Sequence, residues 1–216
     1  MFFKKREASP QPQVVTRTGR RPGQSAREKQ QAIADASPVK PFFTRLFDIH
    51  TDERAWRRGA DGEELVGELL EQLRPHGWHV EHDVRVGQRG ANLDHLVIGP
   101  PGVFVLNTKA VRGKVWVGGP VVMVGHYRTD FVENLDAEAQ RVRRCLTEAT
   151  GRSALWVQGL LVFVHQQPVV KRSPRYVAVL HHSELVRGLL AQPAKLSPNE
   201  VEELVRAARR EETWMG

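Results

Sequence analysis

A single cysteine, Cys145, stands among 216 residues, which excludes an intrachain disulfide framework and any zinc site built on cysteine pairs. Long apolar runs are missing as well, and none approaches the ~18 residues that a membrane-spanning helix requires. The opening residues Met1-Phe2-Phe3-Lys4-Lys5-Arg6 place their charges after the apolar residues with no apolar run behind them, the reverse of a secretory signal. These absences lead to the expectation of a cytoplasmic protein. Negative charge is scarce in one region only. Of the formal net charge of +7, the whole excess lies in residues 1–58, which hold 13 Lys/Arg against 6 Asp/Glu, while residues 59–216 hold 19 of each.

That first quarter is also punctuated by proline, in Ser9-Pro10-Gln11-Pro12, Arg21-Pro22-Gly23 and Ser37-Pro38-Val39-Lys40-Pro41. Such a composition buries too little apolar area to offset chain entropy, so residues 1–58 are expected to form a basic, largely disordered arm. Phe42, Phe43, Leu46, Phe47 and Ile49 form an apolar patch near its end, suited to docking as a short helix. A basic arm suits nucleic acid or another polyanion through counterion release, and a solvated tail without a dedicated partner is the competing reading.

From Gly59 the pattern becomes periodic. Leu65, Val66, Leu69, Leu70 and Leu73 share one helical arc that ends before Pro75 and Gly77. Strands are expected over 78–86, 92–98, 103–109, 115–117 with 121–124, and 176–180. The unbroken apolar run Leu160-Leu161-Val162-Phe163-Val164 predicts a strand buried on both faces. Leu135, Ala139, Val142 and Leu146 mark a helix over 133–149. Ser183 is the expected cap of a helix ending near 191, and Ser197-Pro198-Asn199-Glu200 is a capping box leading a helix to about 212. The expected organisation is thus the arm, a domain over 59–180, and C-terminal helices over 181–216 packed on it.

The densest chemistry lies in Asn92-Leu93-Asp94-His95-Leu96-Val97-Ile98 and Gly102-Val103-Phe104-Val105-Leu106-Asn107-Thr108-Lys109. If residues 99–102 form a four-residue turn, Ile98 faces Val103 and Asp94 faces Asn107. Alternation then puts Asp94 with Leu96 and Ile98, on the same face as Val103, Val105, Asn107 and Lys109. An acid, an amide and a lysine on an apolar face need an explanation. A diagonal Asp94–Lys109 ion pair at the hairpin's end is one, and a reactive site is the other. On the preceding helix, Glu64, Glu68 and Glu71 fall on the polar side, whereas Glu63 lies at the rim of the apolar arc.

Gly59-Ala60-Asp61-Gly62-Glu63, Asn92-Leu93-Asp94-His95 and Gly99-Pro100-Pro101-Gly102 running into Asn107-Thr108-Lys109 together resemble the nuclease-related domain family, NERD, over roughly residues 59–165. That family is similar to the PD-(D/E)xK nucleases. The resemblance implies an α/β fold of restriction-endonuclease-like type, a mixed sheet flanked by helices. It implies that Asp94 is the metal-binding aspartate, residue 107 the second ligand, Lys109 the lysine that orients or activates the attacking water, and Glu63 a helix-borne glutamate that helps hold the metal. It further implies Mg²⁺ or Mn²⁺ as cofactor and DNA as partner. At 107 the pattern has Asp or Glu, and this chain has Asn.

Other residues carry less. His76, His79 and His82 straddle a helix exit and a strand, where 79 and 82 face opposite ways, so surface or packing histidines are expected. His95 should face away from Asp94. Arg112 and Lys114, and Gln140 with Arg144 on the second helix, are secondary candidates, and Gly87-Gln88-Arg89-Gly90 reads as a turn rather than a phosphate-binding loop. Two functions follow: a metal-dependent DNA phosphodiesterase, with full or weakened catalysis, or a non-catalytic module that keeps the fold and binds nucleic acid or protein.

Overall fold

The computed structural model describes residues 20–24, 27, 28, 53–87 and 91–215. The apolar patch at 42–49 lies outside them. Helix α1 (Glu53–Glu71) leads into a single 3-10 turn at Arg74–His76, where Pro75 and the left-handed Gly77 end the helix. Strands β1 (His79–Val86), β2 (Ala91–Gly99) and β3 (Gly102–Lys109) follow as an antiparallel meander. Next come β4 (Val115–Gly118), β5 (Val121–Val124) and β6 (Tyr127–Thr129), then helix α2 (Phe131–Thr150). The chain closes with β7 (Val157–Phe163), β8 (Val169–Arg172), β9 (Val177–His181), α3 (His182–Leu190) and α4 (Pro198–Arg209).

These strands form a five-stranded sheet ordered β1-β2-β3-β7-β9 and a four-stranded sheet ordered β6-β5-β4-β8. In the larger sheet β7 runs parallel to both β3 and β9, which places Leu160–Val164 in the interior as its unbroken apolar run requires. One face carries Val97, Phe104, Leu106, Leu160 and Val162 against Val66 and Leu70 of α1, Leu73 just beyond it, and Leu185 and Leu189 of α3. The opposite face carries Leu96, Ile98, Val103, Val105, Leu161 and Phe163 against Leu135, Val142 and Leu146 of α2, with α4 and Trp214 completing that layer. The result is a mixed α/β fold with helices on both faces of the sheet.

Several boundaries differ from the sequence reading. Helix α1 begins at Glu53, inside the segment assigned to the arm. The cap of α3 is His181, whose side chain accepts the Ser183 N–H, rather than Ser183 itself. The capping box at Ser197 and Glu200 forms as expected, but α4 ends at Arg209, where Arg210 turns extended before a 3-10 turn at Glu211–Trp214. The four-stranded sheet was legible only as its β4–β5 hairpin, because β8 joins β4 in parallel from some fifty residues away.

Part of the presumed arm is docked. Pro22 lies against α1 where Gly67 leaves room for it, since any side chain at 67 would collide with the proline ring. Arg20 Nε donates to the buried Asp83 carboxylate at 2.6 Å, and Asn92 Nδ2 donates to the other Asp83 oxygen at 2.9 Å. Asp83 needs these partners because it is 4% exposed and a buried carboxylate without compensation is costly. Arg20→Ala is therefore expected to lower stability by about 1–2 kcal/mol, between the ~0–1 kcal/mol of an exposed pair and the ~3–5 kcal/mol of a fully buried one, because Arg20 is itself partly solvated. Urea titration of wild type and variant checks it, and equal midpoints would show that the docked segment does not hold the domain.

Candidate active site

The β2–β3 ladder runs Gly99↔Gly102, Ile98↔Val103, Val97↔Phe104, Leu96↔Val105 and His95↔Leu106, the register expected from the four-residue turn. The next pair in that register is Asp94 with Asn107. Here the ladder stops, and the Asp94 side chain takes its place: Oδ2 accepts the Thr108 backbone N–H at 2.7 Å. Strict alternation also fails at this point, since Leu93 and Leu96 both pack into the α2-side core. Across on β1, Asp83 adopts a left-handed φ of 52° between the His82↔His95 and Val84↔Leu93 pairs. The carboxylate of Asp94 is thus turned to the β3 backbone.

On β3 alternation holds. Asn107 and Lys109 follow Val105 on the α2 side, and Thr108 points to α1 beside Gly62. The Lys109 ammonium lies 4.8 Å from the Phe131 ring centroid, at the first turn of α2, a cation over an aromatic face. Among the described residues no ion pair joins Lys109 to Asp94, so the diagonal salt bridge weighed from sequence is not what occupies this face. Asn107 Oδ1 is shut off from solvent with no hydrogen-bond partner.

Helix α2 adds a residue that the sequence reading passed over. Glu138 turns into the protein, and its Oε2 is buried without a hydrogen-bond partner. Burial, and then the nearby Asp94 carboxylate, push the Glu138 carboxyl up to about 7 against the pull of Lys109 and Arg141. Asp94 is raised in the same way by burial, opposed by Lys109 and by the Thr108 N–H. The signal was present in the sequence only at the rim: at 100° per residue, position 138 falls outside the arc of Leu135, Ala139, Val142 and Leu146, between Val142 and the buried Cys145. Gln140 and Arg144, singled out on this helix, are exposed, and Gln140 Nε2 donates to Asp136 at 2.9 Å.

Glu63 sits differently. Its helix packs on the opposite face of the sheet from Asn107 and Lys109, at the end where a Cβ on Gly62 would lie 3.2 Å from both Ala110 and Val164. Glu63 therefore shares the end of the sheet with Asp94 but not the α2 side. Arg112 and Lys114 are exposed. His95 faces away from Asp94 as expected: it is fully buried, its Nδ1 lies 2.9 Å from His82 Nδ1, and burial holds it well below the usual histidine range, hence neutral. His76, His79 and His82 form no ligand set, and among the described residues no three His, Cys, Asp or Glu side chains converge to hold an ion.

The oxygens in this region are hard ones: the Asp94 carboxylate, the Glu138 carboxylate that feels the charges of Asp94 and Lys109, and the unpartnered amide oxygen of Asn107 on the strand that bears Lys109. Mg²⁺ takes oxygen ligands, keeps several waters, and is commonly held by one or two carboxylates plus substrate phosphate. Two buried acceptors without donors fit such an ion better than they fit a closed polar network, in which each would be satisfied.

Residues 58–164 match the family model for NERD, the nuclease-related domain, and this segment of the chain belongs to that family. PD-(D/E)xK is its general fold class. An uncharacterised protein of Bacillus anthracis is 38% identical over 65 residues, which are 29% of this chain and 30% of that relative. The aligned region thus spans under a third of the relative's length. A solved structure, SfsA of Pyrococcus furiosus in complex with Ca²⁺, is 14% identical with a TM-score of 0.22, covering 68% of this chain and 52% of that one. Among the described residues no helix is long and apolar enough to cross a membrane.

Proposed function

We propose that this nuclease-related domain is a metal-dependent phosphodiesterase acting on DNA. The observation that carries the reading is the buried, partnerless oxygen of Asn107 on the strand that also bears Lys109, with the Asp94 carboxylate bonded to the residue between them. Bound there, Mg²⁺ or Mn²⁺ would acidify an attacking water and neutralise charge building on the phosphodiester.

The chain's own groups do the rest. The Thr108 N–H holds the Asp94 carboxylate in one orientation and favours its charged form. Lys109, steadied over Phe131, places a positive charge beside the water. Glu63, on α1, would help hold the ion directly or through water. The excess of Lys and Arg in residues 1–58 supplies salt-sensitive attraction for the phosphate backbone.

The test is nicking of supercoiled plasmid with Mg²⁺ or Mn²⁺, with and without chelator. Metal-dependent nicking by the wild type, lost on chelation, is expected. DNA binding without cleavage under either metal would instead establish the non-catalytic module, the outcome to which the neutral residue at 107 points.

A further inference from the structure

Position 107 has no charge to offer an ion, yet the fold brings a second carboxylate from another element within electrostatic reach of Asp94 and Lys109. Glu138 is on α2, thirty-one residues beyond Asn107, and it is turned under the sheet while Glu133 and Glu148 of the same helix stay exposed. Its Oε2 and the Oδ1 of Asn107 are both excluded from water, and neither has a hydrogen-bond partner. Asp94 and Lys109 are the charged groups that Glu138 feels most strongly.

A structural role for such a residue would normally show a donor bonded to it, because a buried carboxylate left unsatisfied costs far more than it returns. Lys109 and Arg141 are the cations that Glu138 feels, but the Lys109 ammonium lies over the Phe131 ring, and among the described residues neither forms an ion pair. Asp94 has one backbone donor. Two carboxylates close enough to feel each other's charge, and an amide oxygen on the strand whose backbone bonds one of them, therefore have donors for only part of their lone pairs. A divalent cation satisfies all three at once and removes the like-charge repulsion between the two acids.

We propose that Glu138 supplies the second carboxylate of the metal centre, so that the acidic ligand missing at 107 is provided from helix α2 and Asn107 contributes a neutral oxygen. This assignment rests on the metal-dependent reading above and specifies its ligand set. The negative charge offered to the ion is then that of two carboxylates, although residue 107 has none. The exchange is chemically sensible because an ion senses the charge and position of its oxygens, whichever element bears them.

Calorimetric titration of Mn²⁺ into the full chain tests the ligand set without reference to activity. Glu138→Gln should weaken Mn²⁺ binding roughly tenfold or more, since affinity at oxygen sites follows the charge of the ligands. The exchange variant Asn107→Glu/Glu138→Gln, with its carboxylate count restored, should recover affinity to within a few-fold of wild type. Gln140→Ala, exposed on the same helix, should change nothing, and thermal melts confirm that each variant is folded.

Unchanged Mn²⁺ affinity in Glu138→Gln, or no Mn²⁺ binding by the wild type, overturns the proposal. Plasmid nicking on the same proteins separates the two readings. Wild type that binds Mn²⁺ through Glu138 but cuts no DNA keeps the ligand assignment and removes the nuclease. Wild type that cuts DNA while Glu138→Gln binds and cuts equally well does the reverse.

Discussion

Asp94→Asn should abolish both metal binding and DNA cleavage while leaving the protein folded. The amide is nearly isosteric with the carboxylate and still presents an oxygen to the Thr108 N–H, so the 2.7 Å hydrogen bond that fills the end of the β2–β3 ladder survives. What disappears is a buried negative charge, whose ionisation the surroundings already oppose. Lys109→Met should behave differently. The unbranched side chain keeps its packing against Phe131, no ion ligand is lost, and Mn²⁺ binding should be undiminished because a nearby positive charge has been removed. Cleavage should nevertheless fall about 10²–10³-fold, the scale on which removal of one charge-stabilising group acts in an enclosed site. Mn²⁺ calorimetry and initial rates on a labelled duplex check both variants. Equal loss of metal binding in the two would mean that Lys109 holds the site together rather than serving the water, and full activity in Asp94→Asn would place the chemistry elsewhere.

In the absence of metal, Glu138→Gln should stabilise the protein, and only at higher pH. The Glu138 carboxyl is raised from its ordinary 4.5 to about 7 in the folded state, first by burial and then by Asp94. At a pH below its unfolded value both states hold the proton and the group costs nothing. As pH rises through that value the unfolded chain ionises first, so stability is lost progressively, and the loss levels off above the folded value of about 7. Each pKa unit corresponds to ~1.4 kcal/mol, so with a discount for residual solvation the penalty is about 2–3 kcal/mol. Glu138→Gln removes it, which for a chain of this size raises the melting temperature by about 4–12 °C near pH 8 and by almost nothing near pH 4. Scanning calorimetry in chelator at the two pH values checks this. A stabilisation equal at both would assign the effect to packing rather than to charge. Saturating Mn²⁺ should narrow the gap, because an ion bound only by the folded state stabilises the wild type more than the variant.

Where the chain's patterns are local, they were legible. The hairpin turn set the pairing of Ile98 with Val103 and hence the approach of Asp94 to Asn107. The capping box at Ser197 and Glu200 is closed by residues three apart, and the apolar run at 160–164 could only be an interior strand. Alternation was less safe. It placed Asn107 and Lys109 correctly, but it failed around Asp94, which lies opposite the left-handed backbone of Asp83 on a different strand. The docking of Arg20 and Pro22 was likewise illegible, since a basic, proline-punctuated segment reads as solvated until the buried Asp83 and the gap at Gly67 are known.

The sequence by itself determined which residues are chemically able to act, which strand register brings Asp94 toward 107, and that residue 107 is neutral. Those properties depend on residue identity and on contacts within a single hairpin. The tertiary structure alone decided which candidates share a space. Packing α1 and α2 on opposite faces puts the helix that bears Glu63 across the sheet from Lys109 and brings Glu138 within electrostatic reach of Asp94. Helical periodicity states that a side chain points inward, but what it meets there depends on which face of the sheet the helix covers, and that is settled by burial of the apolar surfaces of the whole domain.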